Sequence, residues 1–251
     1  MRAAAAVSVR RWTSPAHRQL AMATSSAASG AEAQQHKRIV RGVVFDMDGT
    51  LTVPVIDFQY MRQRVGVGPT GDILDVIASW PPEEQAAAHA AIAEIEEQAL
   101  RDMQAMPGLV ELCSWLDGAG IPRGLITRNV LASVRYFHDH HLPLPPFVPA
   151  ISRECAHPYK PSPAALLHIC SVWGIAPGEV VMVGDSKADD VVCGNRAGAV
   201  SVLLDTQGRF TGLDDPQLQG ECAPAAIVRS LTEFQALLAQ AFDCRPPERA
   251  A

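Results

Sequence analysis

The chain has 251 residues, of which 48% are hydrophobic and 19% charged, with a formal net charge of −6. That length holds one sizeable core, or one core with an insertion. The acidic balance argues against a general nucleic-acid binder, and no apolar run approaches the roughly 20 residues of a membrane helix.

Residues 1–36 differ from the rest. They carry Arg2, Arg10, Arg11 and Arg18, many Ala and Ser, and a single acid, Glu32. An Arg- and Ser-rich, acid-poor stretch reads as an organelle transit peptide and predicts a chloroplast or mitochondrial address, without choosing between them. A disordered tail with no address is the plainer alternative.

The next residues, IVRGVVF at 39–45, read as a buried strand. Residues 53–106 then contain no convincing strand. A short helix is expected at 72–80, and a longer one at 83–103 with Ile92, Ile95, Ala99 and Leu100 at helical spacing; Pro81 and Pro82 separate them. After Pro107-Gly108 the strand pattern resumes at 121–126, with a short third strand at 147–151. Ser162 and Pro163 then suit the start of a helix over 165–175.

Strands are expected at 179–183 and 199–204, with a helix over 190–197 between them that stops at Gly198. Ser230, Leu231, Thr232 and Glu233 form a capping-box pattern before a last helix of about ten residues. Strands alternating with helices predict an α/β fold, a doubly wound parallel sheet covered on both faces. Its core would be 37–52 and 107–242, with a small helical insertion at 53–106 and a disordered tail at 243–251.

The chemistry starts at VVFDMDGTLT, residues 43–52. Residues two apart on an extended chain point the same way, so Asp46 and Asp48 can share one site. In such sheets, ligands bind at the carboxyl ends of the strands. The other strand ends bring Thr127-Arg128-Asn129 and Gly184-Asp185-Ser186, followed by Asp189 and Asp190. Lys160 lies in YKPSP, before the fourth strand. Clustered carboxylates repel unless a cation or a shared proton compensates, and hard oxygen ligands at a cleft suit Mg²⁺. Thr127 and Lys160 add a donor and a positive charge suited to a phosphoryl group. An aspartate can itself be the nucleophile.

With DMDGT from Asp46, a strand-ending Thr127, Lys160 before PSP and GDSKADD from Gly184, the chain resembles the haloacid dehalogenase superfamily of phosphotransferases over about residues 39–241. Within it, the sequence is most similar to sugar-phosphate and glycerol-phosphate phosphatases, including uncharacterised plant and algal members.

The resemblance implies a Rossmann-like core with a helical cap, and a role for each residue. Asp46 would be the nucleophile. Asp48 would protonate the leaving oxygen, then activate water, and its backbone carbonyl would ligate Mg²⁺. Asp46, Asp48, Asp185 and Asp189 would form the metal set, with Asp190 a rival for the last place. Thr127, Asn129 and Lys160 would hold the phosphate.

The implied substrate is a small phosphorylated metabolite. A phosphomutase and a non-enzymatic phospho-aspartate switch are the alternatives. Asp48 argues against dehalogenation, because a halide leaving group needs no proton. Arg128 departs from the family pattern, standing between Thr127 and Asn129, either solvated or reaching the substrate. Arg62, Arg64 and the loop at 66–72 are the expected specificity elements of the cap.

The remaining groups read as structural. Cys113, Cys155, Cys170, Cys193, Cys222 and Cys244 form no C-x-x-C pair, and free thiols fit better than a zinc site. His138, His140 and His141 are expected on an exposed loop after a helix. Trp80, Trp115 and Trp173 are expected to pack in core or cap.

Overall fold

The computed structural model describes residues 37–248, so the transit-peptide reading of 1–36 lies outside the described residues. The chain runs through β1 (Arg38–Val40), β2 (Gly42–Phe45), β3 (Arg123–Ile126), β4 (Ala150–Ile151), β5 (Val180–Gly184), β6 (Val200–Leu204), β7 (Ala226–Val228) and β8 (Phe242–Cys244). Six of these form one parallel sheet in the spatial order β4-β3-β2-β5-β6-β7. The chain steps outward from β2 in both directions, which opens a crevice at the carboxyl ends of β2, β3 and β5.

Alternation along β2 divides the interior in two. Val43 and Phe45 enter one core with Leu112 of α4 (Leu109–Gly118), Phe137 of α5 (Leu131–His141) and Phe234 of α8 (Leu231–Ala241). Val44 enters the other, with Ile169 of α6 (Ala164–Trp173) and Cys193 of α7 (Val192–Ala197). The sheet is therefore covered on both faces, as the alternating pattern predicts. Half of the capping box forms: Ser230 accepts the Glu233 amide, while the Glu233 carboxylate accepts the amide of Arg229, one residue before the cap.

The expected strand over 39–45 breaks at Arg41. The Arg41 amide donates to the Glu179 carbonyl at 2.7 Å, and its guanidinium reaches Glu179, Pro246 and Glu248. The tail boundary at 243 is also corrected. Residues Phe242–Cys244 pair in parallel with Arg38–Val40, because Val40 and Phe242 are buried in the same core. Strand β4 is shorter than the expected 147–151, since Pro149 has no amide proton to offer a ladder.

Between β2 and β3 lie α1 (Phe58–Val65), α2 (Ile73–Ala78) and α3 (Pro82–Arg101). They close on a small core of their own, made by Met61, Val65, Ile77, Ala88 and Ile92. Asp57 and Asp72 cap the first two, each accepting two backbone amides. The three histidines sit in the last turn of α5 and not on a loop beyond it. His138 stacks on Phe147, and burial pulls its pKa below the ordinary value.

All six cysteines are free thiols. Trp80 packs on the small helical core, while Trp115 and Trp173 pack on the two main ones. Among the described residues, no helix is long and apolar enough to cross a membrane.

Candidate active site

The crevice gathers the side chains that the strand ends predicted. Asp46 directly follows β2, and its amide donates to the Val183 carbonyl at 3.0 Å. Asp185 directly follows β5, and Thr127 directly follows β3. Lys160 reaches up from the loop before α6. Its ammonium donates to Asp46 Oδ1 and, at 2.7 Å, to Asp190 Oδ1. Lys160, Asp46 and Asp190 are all buried.

A π-helical turn at Lys187–Val191 sets which of the two neighbouring aspartates enters. Asp190 turns inward, and its second oxygen accepts the Ser186 amide at 2.9 Å. Asp189 turns to Ser186 instead: it accepts the hydroxyl at 3.1 Å, and its own amide donates back to that oxygen. Carboxylate oxygens of Asp46, Asp185 and Asp190 lie within 4.8 Å of one another. So Asp190, the rival in the sequence reading, takes the place in the acidic cluster given to Asp189. Asp189 lines the cleft beside it.

Two glycines make room for this cluster. A Cβ on Gly184 would stand 2.1 Å from Asp190 Cγ. Gly49, at φ +77°, would press a Cβ to 2.8 Å from the Asp185 carboxylate.

Asp48 points into the same cleft, where the Asn129 amide donates to its Oδ2 at 2.7 Å. Thr127 is buried, and its hydroxyl oxygen accepts the Asn129 amide proton at 3.1 Å. Thr127 thus shapes the turn that aims Asn129, and it is not among the residues lining the cleft.

Burial raises the Asp46 carboxyl well above the ordinary carboxylate range; Lys160 opposes this, while Asp190 and Asp48 add to it. Burial also raises Asp48, against the Asn129 hydrogen bond and Lys160, and with Glu96 adding to the rise. Asp185 is pushed up to about 6 by burial and by Asp190. Burial alone would pull Lys160 down, but Asp190 and Asp46 outweigh it and hold the ammonium charged.

Three carboxylates therefore meet beside one lysine and offer several oxygen ligands. That donor set and charge fit a hard divalent cation such as Mg²⁺, with Asp46, Asp185 and Asp190 as the carboxylates able to hold it.

Three arginines brace the site, and of these the sequence singled out only Arg128. Arg153, after β4, forms a bidentate pair with Glu96 of α3 at 2.6 and 3.0 Å. Arg128 pairs with Asp72, the cap of α2, and its guanidinium lies 5.5 Å from the Tyr159 ring. Arg128 is thus neither free in solvent nor unengaged. Arg209 donates to the Asp185 carbonyl at 2.7 Å and is itself held by buried Asp205. Long sequence separations hid the Arg153–Glu96 and Arg128–Asp72 pairs.

Of the expected specificity residues, Arg62 lines the cleft and ties down its loop through the carbonyls of Gly68 and Gly71. Arg64 instead pairs with Glu94 on the exposed side of the cap. The cleft encloses about 760 Å³.

Known proteins resemble this chain in sequence and in fold. The family model described as haloacid dehalogenase-like hydrolase matches residues 40–198. A haloacid dehalogenase-like hydrolase domain-containing protein of Arabidopsis thaliana is 49% identical over 221 residues, covering 84% of this chain and 88% of its own. A phosphoglycolate phosphatase of Nitrosococcus oceani is 28% identical over 224 residues, covering 79% of this chain and 96% of its own. Among solved structures, a hydrolase from Pseudomonas syringae superposes with a TM-score of 0.64 at 19% identity, over 81% of this chain and all of its own.

Proposed function

The chain belongs to the haloacid dehalogenase-like hydrolase family and is a phosphatase, and from that premise we propose that it hydrolyses a small phosphomonoester with Mg²⁺ through a phosphoryl group carried on Asp46. The observation that carries this reading is the geometry at Asp46. Lys160 holds Oδ1 of a buried carboxylate and leaves Oδ2 for attack, while Asp48 stands in the same cleft.

In the first half-reaction, Asp46 Oδ2 attacks phosphorus and the bond to the ester oxygen breaks. Asp48 gives that oxygen its proton. The raised pKa of Asp48 suits this task, since burial keeps more of it protonated near neutral pH. The Asn129 side-chain amide donates to its Oδ2 and steadies the carboxyl for that transfer.

In the second half-reaction, Asp48, now a carboxylate, takes a proton from water. The water oxygen attacks phosphorus and the bond to Asp46 breaks. Phosphate leaves, and Asp48 is protonated again. Lys160 keeps Asp46 aligned and balances charge throughout.

The acidic cluster of Asp46, Asp185 and Asp190, with the Asp48 carbonyl, would hold Mg²⁺, and Asp189 would support that set from beside it. The ion would supply a positive charge against the phosphoryl oxygens. The cap covers the cleft through the Arg153–Glu96 and Arg128–Asp72 pairs and limits water.

The test is phosphate release by the full chain from a panel of phosphomonoesters, with Mg²⁺ and with chelator, beside Asp46→Asn. Metal-dependent turnover that the variant lacks is the expected result. Isomerised product without free phosphate would instead identify a mutase.

A further inference from the structure

The far wall of the cleft differs from its floor. The floor is made of the acids and Lys160. The wall is made by the cap and presents Ile56, Phe58, Met61, Ile73 and Leu74. These come from three separate pieces of chain: the approach to α1, α1 itself and the first turn of α2. Phe58 stands at the first position of α1 and is 54% exposed, outside the small core that buries Met61. An aromatic ring left this exposed in the wall of an open cleft is surface that a ligand can cover.

The polar groups at the same level are already engaged. Arg128 is taken by Asp72 and Arg153 by both oxygens of Glu96. Arg62 is spent on the carbonyls of Gly68 and Gly71. A ligand rich in hydroxyls would lose water here and would have to compete with these pairs for partners. A ligand with an apolar body would cover Phe58, Ile73 and Leu74 and leave the pairs intact.

Size points the same way. At about 760 Å³ the cleft lies within the roughly 300–1,000 Å³ typical of sites for drug-sized ligands. A phosphoryl group with a two- or three-carbon body fills a small part of it.

We propose that the substrate is a phosphomonoester whose alcohol carries an apolar, ring-sized body seated on the Phe58, Ile73 and Leu74 face of the cap, in preference to a phosphorylated polyol. This rests on the phosphatase reading above and specifies its leaving group.

Two esters of primary alcohols serve as probes, 2-phenylethyl phosphate and glycerol 3-phosphate. Both release primary alcohols and need the same proton from Asp48, so the comparison isolates binding of the body. With the full chain and Mg²⁺, kcat/KM for 2-phenylethyl phosphate should exceed that for glycerol 3-phosphate by at least about tenfold, the range that apolar contacts in a pocket supply. Phe58→Ser, at a position more than half exposed, should lower that ratio about tenfold, with an unchanged melting temperature as the folding control.

Equal rates, a preference for glycerol 3-phosphate, or a Phe58→Ser variant that slows both esters alike would overturn the inference while leaving the phosphatase reading intact. No release from either probe, nor from any ester of the panel, would overturn both.

Discussion

Replacing Lys160 by Met removes the one cation between Asp46 and Asp190 while keeping most of its volume. The Lys160 side chain is 3% exposed, and those of the two acids are 12% and 1%. Breaking a buried ion pair costs about 3–5 kcal/mol, because the remaining charge has no water to turn to. Here two carboxylates are left facing each other, with Asp185 close by. Each kcal/mol moves the midpoint of a domain this size by about 2–4 °C, so Lys160→Met should melt roughly 6–20 °C below the parent.

Protonation limits the loss. An unpaired buried carboxylate takes up a proton as the pH falls, so the deficit should be larger at about pH 7.5 than at about pH 5. Thermal unfolding in chelator at both values measures it. Added Mg²⁺ should return part of the deficit at the higher pH. An unchanged midpoint at the higher pH, or a deficit that ignores pH, would refute the view that Lys160 compensates buried charge.

Gly184→Ala places a Cβ 2.1 Å from Asp190 Cγ, so it should either cost more than about 4 kcal/mol in denaturant unfolding or expel Asp190 and abolish turnover. Glu96→Gln unpairs Arg153 across the cap–core seam; a loss of about 1–3 kcal/mol is expected in the same assay. Because Glu96 also raises the Asp48 pKa, that variant should move the alkaline limb of the rate profile to lower pH. Asp185 carries a folded pKa near 6 against 3.8 for the ordinary group. The native state therefore holds the extra proton between those values, and the metal-free protein should lose stability as pH rises through that window. Calorimetric Mg²⁺ affinity should weaken as pH falls through about 6, because the proton competes with the ion.

Much of the site was legible because its residues sit at strand ends, where hydrophobic runs stop and sequence position fixes spatial position. Asp46, Asp185 and Thr127 each follow a strand directly, and the parallel order brings those ends together. Lys160 was legible as a positive charge near the site, while its inward place came from the family pattern, since nothing local says that a loop lysine folds inward.

The choice between Asp189 and Asp190 was not legible. It turns on a single π-helical turn, which shifts the inward face by one residue. The cap–core pairs were hidden for another reason. Arg153 and Glu96 are 57 residues apart, and only the fold makes them neighbours. Helix α1 escaped because FQYMRQRV buries only Met61 and Val65, too few for a visible stripe. Strand β8 escaped because FDC precedes a Pro- and charge-rich end, and its partner Arg38–Val40 lies at the other end of the chain.

The central claim is that Asp46 carries the phosphoryl group and Asp48 serves its release. The most direct measurement uses Asp48→Asn, acid-quenched with 4-nitrophenyl phosphate, whose phenoxide leaves without a proton, in Mg²⁺ and digested for peptide mass spectrometry. The account predicts a phosphoryl group on the peptide containing Asp46, at a residue confirmed by its absence in Asp46→Asn. Phosphate release by the parent enzyme with no such adduct in either protein, or an adduct on another side chain, would contradict it.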